Sequence, residues 1–217
     1  MKGSMKKLAV FVIVAAIVMF TVATMASADD HRGKNTIRGQ YAATQWGSCI
    51  LSIFGFNSDF TPACYTPPGG SPLCIASIQM FNRAGDYTFE KNGTGTVTLN
   101  GSSITLSYIG PSGQVPSNAS SQTMSWDFTY TVTGDGMITT TGVPGTCITT
   151  HNSGPLSGKT YEVEGVSATG AITPDGKNIT LHAGPPNLLT LYGPNIPNVG
   201  QPNFSCQSST VLIRQDN

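Results

Sequence analysis

The sequence predicts an all-β protein, an antiparallel up-and-down meander that closes into a β-barrel of about eight strands. Three observations predict it. Apolar and polar residues alternate with period two through most of the chain after residue 36. Asn-Gly and Asp-Gly pairs punctuate the alternating runs at Asn92-Gly93, Asn100-Gly101, Asp135-Gly136 and Asp175-Gly176. No long helical pattern interrupts them. A β-sandwich is the alternative that the same pattern allows.

The N-terminus reads as an export signal. Lys2, Lys6 and Lys7 form a basic start, Leu8 to Val22 is apolar, and Ala26-Ser27-Ala28 supplies small residues at a cleavage point. These are the three parts of a secretory signal peptide, assigned to residues 1–28. The rival reading is a retained anchor, since ~20 apolar residues span a bilayer. The placement of the small-residue site favours cleavage, so no membrane span is expected in the mature chain. The expected location is secreted, periplasmic or in the cell envelope. A polar lead over residues 29–35 follows, and residues 36–217 form one domain.

The elements come in order. Ile37, Gly39, Tyr41 and Ala43 alternate with Arg38, Gln40, Ala42 and Thr44. Ile75–Arg83 is readable as a short helix or a strand. Tyr87 and Phe89, Val97 and Leu99, then Ile104, Leu106 and Tyr108 mark three strands, which two hairpins at Asn92-Gly93 and Asn100-Gly101 would join. Trp126, Phe128, Tyr130 and Val132 alternate with Asp127, Thr129 and Thr131 and lead into the Asp135-Gly136 turn. Tyr161 and Val163 follow, then Ile179 and Leu181 beyond Asp175-Gly176. Strict alternation gives a strand one packed face and one wet face. Long connections are expected at Phe56–Pro72, Gly110–Gln122, Gly142–Gly158 and Gly184–Asn203, grouped at one mouth.

Composition narrows the function. Only 10% of residues are charged, against ~25% in an average soluble domain. After cleavage 8 Lys and Arg face 11 Asp and Glu. No basic patch is present, which argues against nucleic acid as a partner. The five cysteines, Cys49, Cys64, Cys74, Cys147 and Cys206, predict two disulfides and one thiol in an oxidising compartment. Cys64 and Cys74 flank a Pro/Gly loop and are the favoured pair; Cys147 with Cys206 is the second. Without Cys-x-x-Cys, the chain offers no thioredoxin-type redox site and no ordinary zinc site. Neither a metal nor a cofactor is called for.

Three features carry a resemblance. Gly39-Gln40-Tyr41 opens the first strand, the stretch Gly85 to Thr96 forms a distinctive hairpin, and the final strand Thr210-Val-Leu-Ile-Arg214 ends in arginine. The chain thereby resembles the calycins, the lipocalin and avidin class of secreted barrels. It also resembles small exported barrels of bacteria and, at fold level, the allene oxide cyclase barrel. The resemblance implies that Arg214 lies across Tyr41 and closes one barrel end by a cation–π contact.

No catalytic motif of the H-E-x-x-H or G-x-S-x-G kind occurs, so no catalytic residue is assigned. His31, His151 and His182 read as loop or surface residues, and Glu162 and Glu164 as solvated strand charges. The site candidates are the aromatic stripe Tyr87, Phe89, Trp126, Phe128 and Tyr130, as core or cavity wall, and Asp127 as a polar anchor should its face be the lumen. The expected function is an exported binding protein for a small, mostly apolar ligand. The alternatives are a structural or surface-interaction protein of the cell envelope and, third, an isomerase or cyclase that works by shaping its substrate.

Overall fold

The computed structural model describes residues 37–215, apart from 53, 73, 110–112, 115–117 and 194–202. The signal peptide, the polar lead and His31 therefore lie outside the described residues. Eleven strands form one antiparallel sheet, with no helix among the described residues. They are β1 (Gly39–Ser52), β2 (Ile75–Phe89), β3 (Thr94–Ile109), β4 (Gly113–Gln114), β5 (Asn118–Val132), β6 (Met137–Gly142), β7 (Ile148–His151), β8 (Thr160–Glu164), β9 (Ser167–Ile172), β10 (Asn178–Tyr192) and β11 (Phe204–Arg214).

The sheet closes on itself. β1 pairs with β2 and with β11, and β2 pairs with β3, which pairs with β5. β5 pairs with β6 along one part of its length and with β7 along another. β10 likewise pairs with β9 and then β8 before reaching β11. The result is a ring of eight positions, two of them shared by two short strands each. One closed sheet replaces the two facing sheets of a sandwich. It also leaves few unpaired edges in a chain whose exposed strand faces are rich in threonine.

The two ends differ. At one end tight turns join β2 to β3, β5 to β6 and β9 to β10, with Gly93, Gly136 and Gly176 at positive φ of 83°, 82° and 66°. A side-chain oxygen of Asn92, Asp135 or Asp175 accepts from the hydroxyl of Thr94, Thr133 or Thr173, so three turns share one chemistry. The phenol of Tyr41 donates to the Gly176 carbonyl at 2.7 Å and that of Tyr130 to the Glu90 carbonyl at 2.6 Å. These bonds tie the turns to the wall of the ring. The longer connections, residues 53–74, 110–117, 152–159 and 193–203, all leave from the other end.

Three expectations need correction. Asn100-Gly101 is no turn: it lies inside the unbroken strand β3, so one hairpin joins β2 and β3, and Ile75–Arg83 takes the strand alternative of its two readings. The expected loops at 142–158 and 184–203 contain β7 and much of β10, whose Gly184-Pro185-Pro186 is absorbed at a register shift against β11. Finally, the inward face is not always the apolar one. Tyr87, Phe89, Val97 and Leu99 point in, and stepping by two along the same strands puts Ser77, Phe81, Arg83 and Ser103 inside too. Ile78, Met80, Ile104 and Leu106 are consequently on the outside and roughly half exposed. The ladders β2–β3 and β3–β5 run without a shift, so nothing in the backbone flips the phase when the sequence pattern does.

Candidate ligand-binding site

The turn-capped half of the ring is solid. Tyr41, Phe89, Phe128 and Tyr130 interlock edge-to-face, with Phe89 5.2 Å from both Phe128 and Tyr130 and 5.3 Å from Tyr41. Ile37, Val132, Ile138, Ile179 and Leu212 complete that core. The other half is hollow. A cavity of ≈ 450 Å³ opens toward the long connections. Tyr87 and Trp126, whose rings meet edge-to-face at 5.8 Å, form part of its lining with Met124. Val163, Leu189, Leu191 and Phe204 make an apolar wall on β8, β10 and β11. Gln79 on β2 and Ser120 on β5 make a polar wall, each hydrogen-bonded to the buried Ser103 of β3, at 3.2 Å and 3.0 Å.

Across the hollow half, above its floor of Tyr87 and Trp126, runs a polar belt. The register aligns Leu181 with Thr210, Thr210 with Gln45, Gln45 with Arg83, Arg83 with Gly101, Gly101 with Gln122, and Gln122 with His151. Directly opposed residues share a face, so this is one inward row across seven strands. Gln45 Nε2 donates to Thr210 Oγ1 at 3.3 Å, and Arg83 Nη1 donates to Gln45 Oε1 at 3.2 Å. The Gln122 amide, with its oxygen turned to the guanidinium, accepts from Arg83 Nη2 at 2.8 Å and Nε at 3.1 Å.

Glycine makes the belt possible. Gly101 separates Arg83 from Gln122, and a Cβ there would stand 2.6 Å from Arg83 Cα and 2.8 Å from its Cγ. The bare backbone lets the arginine lie flat across β3. Gly47 does the same for Phe81, whose ring comes within 2.7 Å of where a Cβ would be and carries the guanidinium 4.1 Å above its centroid.

Burial sets the charges. It pushes the Arg83 guanidinium down to about 10, still cationic at neutral pH. It also lowers His151, as does the positive Arg83, which keeps the imidazole neutral near pH 7. Among the described residues, His151 Nδ1 has no hydrogen-bond partner. The Cys147 thiol, buried behind the aromatic lining, is pushed up to about 12.

The predicted site residues separate into groups. Tyr87 and Trp126 line the cavity, whereas Phe89, Phe128 and Tyr130 belong to the solid half. Asp127 points outward into solvent, and its backbone N–H donates to Thr146 Oγ1 at 3.1 Å. Its face is thus the exterior, because Trp126 and Phe128 on either side point in. Arg214 stands opposite Tyr41 in the β1–β11 register, at the capped end. Its positive charge acts on the Tyr41 phenol, which burial raises to about 12.

The cysteines need correction as well. Cys64 and Cys74 pair as expected. Cys206 bridges Cys49 rather than Cys147, because those two are direct register partners on β1 and β11. Cys147 is a buried free thiol. His151 is a second correction, being a buried residue of β7 and not a loop side chain. His182 and the Glu162/Glu164 pair lie on outer faces as anticipated.

Arg83 and Gln122, central to the belt, carry no motif and went unmarked in the sequence. One signal would have found both. Stepping back by twos from Tyr87 gives Gly85, Arg83 and Phe81, and from Trp126 gives Met124 and Gln122. Comparison with protein-family models finds no match for the chain, and comparison with curated proteins finds none either.

Proposed function

We propose that this chain is an exported binding protein that holds a small, mostly apolar ligand inside the ring, admitted through the end with the long connections. The cavity carries the reading: ≈ 450 Å³, walled on one side by Val163, Leu189, Leu191 and Phe204 and floored by Tyr87 and Trp126. Ligand sites are concave, largely apolar and of roughly 300–1,000 Å³. By scaling from an engineered 150 Å³ pocket that takes benzene, about 18 non-hydrogen atoms fit. Two disulfides accord with life in an oxidising compartment.

The test uses the two tryptophans. Trp46 is exposed and Trp126 buried in the cavity wall. In a Trp46→Phe background, the neutral probe N-phenyl-1-naphthylamine should quench Trp126 with 1:1 saturation. Ala168→Phe, which takes up part of the cavity without adding a second tryptophan, should weaken the quenching. Absence of saturable binding to the unfilled ring would sink the proposal.

A second reading, a surface-interaction protein of the cell envelope, is favoured by a separate observation. Ile50, Ile78 and Leu106 share one cross-strand row on the outside, with Met80 and Ile104 in the next. Exposed contiguous apolar strips mark interaction surfaces. Cofractionation with envelope material that Met80→Glu with Ile104→Glu abolishes would support it; recovery wholly in the soluble fraction would count against it.

A further inference from the structure

We infer that the ligand is a carboxylate, an apolar body with a single negative charge that docks on Arg83 at the polar belt. This rests on the cavity reading above and names the chemistry of its occupant. Arg83 is 8% exposed and points into the cavity. Of the five N–H donors of a guanidinium, three are met by the amide oxygens of Gln45 and Gln122, leaving one on each Nη. Those partners are neutral. Among the described residues no ion pair involves Arg83, and the undescribed residues between Gly39 and Gln215 include no Asp or Glu.

A buried charge with neutral partners only is costly, and proteins normally pair it. Here the position is built rather than accidental. Gly101 clears the path of the side chain, Phe81 supports the guanidinium from beneath, and two glutamines fix its plane. His151, on the same row, presents a buried Nδ1 with no partner among the described residues and supplies a further donor in one tautomer. A planar fork of N–H groups matches the two oxygens of a carboxylate.

The charge count selects a monoanion. Arg83 is the one Lys or Arg among the described residues lining the cavity, and His151 stays neutral at pH 7. A dianionic phosphate would bury one uncompensated charge. The apolar wall of β8, β10 and β11 then takes the body of the molecule.

Isothermal titration at pH 7.5 tests this with one chain length and four heads: dodecanoate, dodecanol, dodecylamine and dodecyl phosphate. Dodecanoate should bind 1:1, at least ~10-fold tighter than dodecanol, a factor set by one charged hydrogen bond. Dodecylamine should bind weakest. Arg83→Met should weaken dodecanoate about 10- to 100-fold and leave dodecanol within about twofold, which also shows that the variant is folded. Arg83→Lys, which keeps the charge and loses the fork, should fall between them.

Equal affinity for dodecanol and dodecanoate would overturn the inference and leave the cavity reading intact. So would binding of N-phenyl-1-naphthylamine without any binding of dodecanoate. Tighter binding of dodecyl phosphate would overturn the monoanion, and an Arg83→Met protein with unchanged preference would overturn the role of Arg83. Failure of every chain and of the neutral probe would remove both proposals together.

Discussion

Replacing Cys49 and Cys206 together by alanine tests how the ring is held shut. This bridge joins the first strand of the ring to the last and spans 157 residues. In the loop-closure picture, a crosslink of that length removes denatured-state entropy equivalent to about 5 kcal/mol at 25 °C. Both cysteines line the cavity and pack against Phe81, Leu189 and Phe204, so lost packing adds to this figure. For a domain of this size the deficit corresponds to a fall in Tm of roughly 10–20 °C. The second bridge is the internal control. Cys64–Cys74 spans 10 residues, for which the same relation gives about 3 kcal/mol. It lies in a largely exposed connection that opens without the ring. Its loss should therefore move global unfolding by less than ~1 kcal/mol. Urea unfolding followed by far-ultraviolet circular dichroism measures both. Equal effects of the two double substitutions, or a seam deficit below ~1 kcal/mol, would refute the reasoning.

Three further outcomes follow from the same geometry. Cys147, with its thiol held at about 12 by burial, has only about one thiolate in 10⁴ at pH 8; Ellman's reagent should find no thiol in the native protein and one per chain in guanidinium. Gly101→Ala should cost about 1–3 kcal/mol by overpacking, because its Cβ would fall 2.1 Å from the Asn82 carbonyl oxygen. A stabilised Gly101→Ala protein, as an uncrowded strand glycine would give, contradicts that packing. His151 has a folded pKa below its unfolded value, so the unfolded chain takes up its proton first as the pH falls. Stability should decline on acidification below about pH 6.5, and His151→Gln should flatten that decline in urea midpoints measured from pH 7.5 to 5.

What the sequence revealed was local. The alternation of Trp126 to Val132, and the turns at Asn92-Gly93, Asp135-Gly136 and Asp175-Gly176, depend on neighbours only, and all are present. Asn100-Gly101 has the same letters and is strand, because the requirement it meets comes from β2: room for Arg83. The phase of β2 and β3 at the open end is equally non-local. Nothing in Ile104-Thr105-Leu106 says that the isoleucine is outside; continuity with Val97 and Leu99 decides it. The Cys49–Cys206 pair depends on which strands close the ring, and no spacing encodes that. The aromatic stripe was legible as a stripe, yet the boundary between solid core and cavity wall falls between Trp126 and Phe128. That boundary is set where residues from the facing strands become small or polar.

The division of the interior also explains why the belt is tolerated. Moving the guanidinium pKa from 12.5 to about 10 corresponds to roughly 3 kcal/mol against the charged form. A domain's whole stability is only about 5–15 kcal/mol. The fully buried aromatics of the capped half and the covalent seam at Cys49–Cys206 supply what the hollow half does not. Packing alone would favour a methionine or leucine at position 83, since an apolar residue of similar volume commonly stabilises a site that held a buried charge. Instead β1 and β3 carry glycines where Phe81 and Arg83 need space, and β1 and β5 carry glutamine amides aimed at the guanidinium. Such supports do not lower the charge. They hold it in one orientation facing an open cavity, which is useful only if an anion arrives from solvent to meet it.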